Sequence, residues 1–270
     1  MTDDTRTTVN AVTRAYGGVP VLDTVSLAID PGLTAVVGPN GSGKSTLLGV
    51  LAGVVEPTAG RVRRPDTDAE KPVGYLPQRV PFREGFTARQ TLAFYARLVD
   101  ADPDSALDSV GLADAANRRV EALSGGMRRL LGIAQATLGD PSLVVLDEPT
   151  SGLDPGMRER AFETAAERAT GDTAVVVSSH DLGLVDAYAD HLVVLARGRV
   201  VVSGDVDALC DEYGVDDVDG LYRAAVGDIG SGVGGGADDP GGDGAGGPND
   251  ATASDDERSG GVHVPGVSDR

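Results

Sequence analysis

Residues 33–46 read "LTAVVGPNGSGKST", and the reading of this stretch decides the fold. Its first five residues form a short apolar run that stops at a glycine, the pattern of a central parallel strand. The next eight, "GPNGSGKS" at 38–45, fit G-x-x-x-x-G-K-[S/T], and a helical pattern follows over 44–53. Strand, glycine-rich turn and helix are the setting in which backbone N–H groups wrap a phosphate chain. Lys44 is placed to reach the β/γ oxygens, and the Ser45 hydroxyl to serve Mg²⁺. Of the 23 basic residues only Lys44 and Lys71 are lysine. In a chain that otherwise uses arginine, the lysine at 44 argues for a specific task.

Outward from this loop, "LVVLDE" (143–148), "TAVVVSS" (173–179) and "HLVVLARG" (191–198) are further short β-branched runs. Helical patterns lie between them at 87–99, 125–138, 156–169 and 182–189, and Thr87 and Gln90 have capping-box spacing. Strands alternating with helices predict an α/β fold with parallel strands. "VSLAI" (25–29) alternates like a half-exposed strand. The N-terminal strands follow one another through short turns, which predicts an antiparallel edge sheet.

Asp147 and Glu148 close the run "LVVL" at 143–146. A carboxylate at the C-terminal end of such a strand can hold Mg²⁺ through water, and the next one can orient or deprotonate an attacking water. "LSGGM" at 123–127 is a second candidate anion loop, with a serine and two glycines heading an apolar-periodic helix.

The formal net charge is −19, from 42 acidic and 23 basic residues. Such a surface repels nucleic acid and anionic lipid. The near-absence of lysine points further, to adaptation to molar salt and a halophilic source. Cys210 is the single cysteine, so no intrachain disulfide is possible and a reducing compartment fits. "MTDDTRTTVN" lacks the regions of a signal peptide, and no apolar run approaches the ~20 residues of a membrane span. Any membrane role is therefore expected to come through a partner. Residues 228–270 are Gly/Asp-rich, hold 9 acids and 2 arginines, and carry −7 of the charge. We expect them to form a disordered tail behind a domain at 1–227.

The ordered set of motifs resembles the ATP-binding subunit of an ABC transporter, from about residue 7 to 213. After the phosphate loop come Gln78 in "YLPQ", "LSGGM", "LVVLDEP" at 143–149, "SGLD" at 151–154 and His180 in "SSHD". The resemblance implies a P-loop NTPase core with a mostly parallel sheet, an antiparallel N-terminal β subdomain and a helical subdomain inserted at about 80–140. It implies ATP and Mg²⁺ as ligands and a head-to-tail dimer, with a second copy or a paralogous subunit. In that dimer Ser124, Gly125 and Gly126 would close on the γ-phosphate held by the other copy. That would explain why one chain has two anion loops.

Residue by residue, the resemblance assigns nucleotide binding to Gly38, Asn40, Gly41, Ser42, Gly43, Lys44, Ser45 and Thr46. Tyr16 would stack on adenine, and Asp154 would lie in the loop crossing the dimer interface. Glu148 would be the catalytic base, His180 the contact to the γ-phosphate, and Gln78 the sensor of Mg²⁺ beside the docking cleft of the membrane subunit. Mg²⁺ itself would fall to Ser45, Gln78 and Asp147. The family most often has Gln where this chain has Met127; "LSGGM" followed by Arg is associated with ABC-2-type exporters and with a copper-processing system.

The leading expectation is thus an ATPase on the cytoplasmic face of the membrane that energises a separate permease, in the direction of export. The alternative is a non-transport ABC ATPase acting on a macromolecular complex. Such proteins carry a long coiled coil before the signature or two cassettes in one chain, whereas 44 residues separate Gln78 from Leu123 here and there is one cassette. A GTPase would need an N-K-x-D motif, which is lacking.

Overall fold

The computed structural model describes residues 6–65 and 71–231. Two sheets organise them. The first is antiparallel, in the order β2–β1–β4, from β1 (Thr7–Tyr16), β2 (Val19–Ile29) and β4 (Ala59–Arg63). Along β2 the side chains of Val25, Leu27 and Ile29 are buried while Ser26 and Ala28 are exposed, the alternation expected of a sheet with one wet face.

The second sheet has six strands in the order β5–β6–β7–β3–β8–β9. These are β3 (Gly32–Val37), β5 (Val73–Leu76), β6 (Leu143–Leu146), β7 (Ala174–Ser178), β8 (His191–Ala196) and β9 (Arg199–Asp205). All neighbours pair in parallel except β8 and β9. Alternate residues of one strand feed opposite cores. Leu33, Ala35 and Val37 pack on one side, and Val36 on the other; Val144 and Leu146 oppose Leu143 and Val145. Burial on both faces is why these strands read as unbroken apolar runs.

The helices are α1 (Lys44–Ala52), α2 (Ala88–Ala96), α3 (Pro103–Ser109), α4 (Gly125–Thr137), α5 (Pro155–Arg168), α6 (Leu182–Tyr188), α7 (Val206–Tyr213) and α8 (Val218–Ser231). The capping box at α2 is complete: Gln90 N–H donates to Thr87 Oγ1 at 3.2 Å, and Thr87 N–H to Gln90 Oε1 at 3.0 Å. The second lysine of the chain also has a local task. Lys71 Nζ donates to the carbonyls of Gln135 and Ala136, at 2.9 and 3.0 Å, and so closes the C-terminal end of α4. Burial lowers its pKa to about 8.

One boundary differs from expectation. α8 continues to Ser231, so residues 228–231 are helical rather than tail. Val218, Leu221 and Ala225 are buried and anchor the helix, and once it is nucleated each added residue gains a hydrogen bond at small cost, even through a Gly/Asp sequence. The rest of the expected tail, 232–270, lies outside the described residues.

Candidate nucleotide site

The loop between β3 and α1 is fixed by close backbone approach. Gly38 has φ +154°, and a Cβ there would lie 2.0 Å from the Leu195 carbonyl oxygen. Gly43 has φ +105°, and its Cβ would lie 2.9 Å from the Val21 carbonyl oxygen. Any other residue at either place would drive the loop away from β2 and β8.

The loop delivers an open helix end. Among α1–α7, each of α2–α7 starts under a cap from its own Thr, Ser or Asp side chain. α1 alone starts at a glycine with no side-chain cap. The N–H groups of Lys44, Ser45 and Thr46 are therefore left for an outside acceptor, with the positive end of the helix dipole behind them. The Ser42 hydroxyl is buried and has no hydrogen-bond partner among the described residues. Lys44 is buried too, and its ammonium rests on the carbonyls of Gly38 (2.8 Å) and Pro39 (3.2 Å). Desolvation lowers its pKa, against the opposing pull of Glu148 and Asp147. Asn40, Gly41, Gly43, Lys44, Ser45 and Thr46 line a cavity of about 200 Å³ together with Glu148. An orphaned hydroxyl, an uncapped helix and a cation with only loop carbonyls to bind fit a phosphate chain.

At the end of β6 stand the carboxylates. Asp147 is buried, and its Oδ1 accepts from Ser45 Oγ at 3.1 Å and Ser178 Oγ at 2.8 Å. Glu148 has φ +48°, a left-handed conformation that a non-glycine residue adopts only when its surroundings hold it. Its N–H donates to Ser178 Oγ at 2.8 Å. Its side chain is bracketed: Gln78 Nε2 donates to Oε2 at 2.9 Å, and His180 Nε2 lies 3.2 Å from Oε1. The two carboxylates, Gln78, His180 and the phosphate loop are thus brought together. Ser178 was not among the expected site residues, yet its Oγ links the Asp147 carboxylate to the backbone N–H of Glu148. Its signal was the small polar pair ending "AVVVSS", where an apolar strand would have done for packing alone.

Other expected residues are not joined to this cluster within the chain. Ser124 caps α4, accepting from Met127 N–H at 3.1 Å, which leaves the hydroxyl proton free to donate. A Cβ on Gly125 would touch nothing within 4 Å among the described residues, and one on Gly126 would meet the Met157 side chain, its Cε at 2.9 Å, and Leu153 Cδ2 at 3.5 Å. The Met127 side chain packs against the core, so the residue contributes its backbone to the cap and its side chain to packing. Asp154 caps α5, accepting from Met157 N–H at 3.1 Å. Tyr16, at the β1–β2 turn, is 47% exposed and carries the Arg14 guanidinium 4.4 Å from its ring centre.

Comparison with known proteins gives this geometry a family. Residues 22–151 match the family described as ABC transporter. The chain is 34% identical over 245 residues to the daunorubicin resistance ATP-binding protein DrrA3 of Streptomyces coeruleorubidus, covering 85% of this chain and 77% of that protein. It is 42% identical over 199 residues to the zinc import ATP-binding protein ZnuC of Paracoccus denitrificans, covering 72% and 76%. A solved ATP-binding subunit of an ABC transporter superposes with a TM-score of 0.71 at 26% identity, over 82% of this chain and 99% of that one. The chain belongs to the ABC transporter family, as an ATP-binding subunit that hydrolyses ATP.

Proposed function

We propose that this subunit hydrolyses ATP at sites shared between two copies and passes the resulting motion to a membrane permease. The observation that carries the reading is the Glu148 carboxylate, bracketed by Gln78 and His180 beside the Ser45–Asp147 pair and the uncapped end of α1. In this reading the N–H groups of the phosphate loop cradle the phosphates, and Lys44 moves from the loop carbonyls to the β/γ oxygens. Tyr16 offers a ring face to adenine. Ser45 and Asp147 would hold Mg²⁺, with Gln78 beside them. One or two carboxylates plus substrate phosphates is the ligand set that Mg²⁺ favours, and the ion neutralises charge on the phosphates. Glu148 takes the proton of the attacking water, and His180 turns from Glu148 to the γ-phosphate.

Gly125 supports a shared site. It is the first residue of α4, and nothing among the described residues would obstruct a side chain there. Close approach by something outside the chain explains the glycine. We assign Ser124, Gly125 and Gly126 to the γ-phosphate of a second copy or a paralogue, with Asp154 at the same interface.

The proposed direction is export, on the Met127 signature and on the likeness to a Nod factor export ATP-binding protein of Rhizobium etli, 34% identical over 216 residues; the zinc import relative shares more identity over a shorter stretch. The cargo belongs to the permease, and the ATPase would sit at the cytoplasmic face through it. No helix among the described residues is long and apolar enough to cross a membrane. Nucleic acid is not a proposed partner, given the charge of −19.

Lys44→Ala is the direct test of the nucleotide site. Loss of a charged donor is expected to weaken ATP binding by roughly 10–100-fold in equilibrium titration, the equivalent of about 1.5–3 kcal/mol. Unchanged affinity would place the nucleotide elsewhere. The composition supports a further proposal, that the protein works in concentrated salt. Melting temperature and ATPase rate are then expected to rise from ~0.1 M to above ~1 M KCl, past the point where simple screening is nearly complete. Greatest stability in dilute buffer would contradict this.

A further inference from the structure

Arg129 lies in the second turn of α4 and is buried, 7% exposed, on a helix face otherwise built of apolar residues. Among the described residues, every one of its hydrogen bonds goes to a backbone carbonyl of one of two short segments. Nη1 donates to Pro77 O at 2.9 Å and Gln78 O at 3.0 Å. Nη2 donates to Glu148 O at 2.7 Å and also to Asp147 O. Nε donates to Pro149 O at 3.3 Å. These segments carry the residues that bracket one another in the site, Gln78 and Glu148.

The sheet does not hold these segments by itself. β5 and β6 pair as far as Leu76 and Leu146, with a last bond from Asp147 N–H to Leu76 O at 2.8 Å. Beyond that bond the guanidinium takes the place of the ladder. Glu148 needs such support most, because its φ of +48° is a conformation that costs of order 1–3 kcal/mol and persists only where neighbours enforce it. Ser178 Oγ fixes its N–H and Arg129 fixes its C=O, one on either side of the strained residue. A lysine has three donors on a single point and lacks the planar fork that spans both segments.

We propose that Arg129 is a positioning residue for ATP hydrolysis, which sets the Glu148 and Gln78 side chains by holding their backbones. The proposal rests on Glu148 being the base. Without the guanidinium the backbone of Glu148 relaxes and its carboxylate leaves the water-activating position, while the phosphate loop, built from β3 and α1, is untouched.

The test uses the full chain with Arg129→Gln, Arg129→Lys and Glu148→Gln, each also combined with Glu148→Gln where applicable. Melting temperature, ATP affinity and single-turnover hydrolysis are measured. Arg129→Gln is expected to lower the hydrolysis rate on the order of 10²-fold, as misplacement by about 1 Å does, with ATP affinity unchanged and with Arg129→Lys recovering part of the rate. On a Glu148→Gln background, Arg129→Gln should cost nothing further, because it acts through a group already removed. A loss of rate matched by an equal loss of affinity, or one that persists in full on the Glu148→Gln background, would overturn the proposal. So would an undiminished rate in either Arg129 variant; if Arg129→Gln does not fold, Arg129→Lys alone decides. If Glu148→Gln itself keeps its rate, the base reading fails and takes this inference with it. If Glu148→Gln loses its rate while the Arg129 variants keep theirs, only the role of Arg129 is wrong.

Discussion

Glu148→Gln is expected to reduce steady-state ATP hydrolysis by about 10²–10⁴-fold, the share a positioned general base contributes. The substitution keeps the size of the side chain and its capacity to hydrogen-bond with Gln78 and His180, which stand 2.9 and 3.2 Å from its oxygens. It removes only the ability to accept a proton. ATP binding should survive, because the loop from Gly38 to Thr46 and the open end of α1 do not depend on Glu148 for their shape. Nucleotide should therefore accumulate unhydrolysed on the variant. Hydrolysis within about threefold of the parent, well short of what a base supplies, would remove Glu148 from that role.

Much of this site was legible in the sequence because its geometry forces residue types. Gly38 and Gly43 press against the carbonyls of Leu195 and Val21, and no side chain fits there. Lys44 is conspicuous in a chain whose other basic residues, Lys71 apart, are arginines. The strands that carry the site are buried on both faces, so β3, β6, β7 and β8 appear as apolar runs that end where the chemistry begins.

Other parts were not legible, for physical reasons. α3 and α7 start under Asp102 and Asp205 caps, a signal that could mark a helix start. In so acidic a chain an aspartate before a short polar segment marks nothing by itself, and both helices went unassigned. α8 extends into the Gly/Asp-rich stretch because buried residues upstream hold it, a tertiary effect that composition does not show. Arg129 was hidden differently. In "GGMRRLLG" it stands beside Arg128 and reads as a solvated charge pair. Only the fold reveals that Arg129 points inward, onto carbonyls of segments some 20 and 50 positions away in sequence.

Ser124→Arg is expected to abolish the ATP-dependent association of two copies while leaving each copy able to bind nucleotide. Among the described residues the Ser124 hydroxyl makes one hydrogen bond, the cap accepted from Met127 N–H, and a Cβ on Gly125 would meet nothing within 4 Å. An arginine would place bulk where a phosphate from a second copy is to sit, and would remove the short donor. The lost cap should cost only about 1 kcal/mol of stability, which a melting curve can register separately. The phosphate loop is built from other elements, so ATP affinity in the monomer should not move.

The most direct measurement of the shared-site account is light scattering with ATP on Glu148→Gln and on the double variant Glu148→Gln/Ser124→Arg, both held in salt at which they are folded. The first is expected to shift from monomer to dimer on ATP addition, since bound nucleotide is not consumed, and the second to remain monomeric while still binding ATP. If the double variant dimerises with ATP as fully as Glu148→Gln does, "LSGGM" does not hold a second copy's phosphate, and the account of two anion loops in one chain is contradicted.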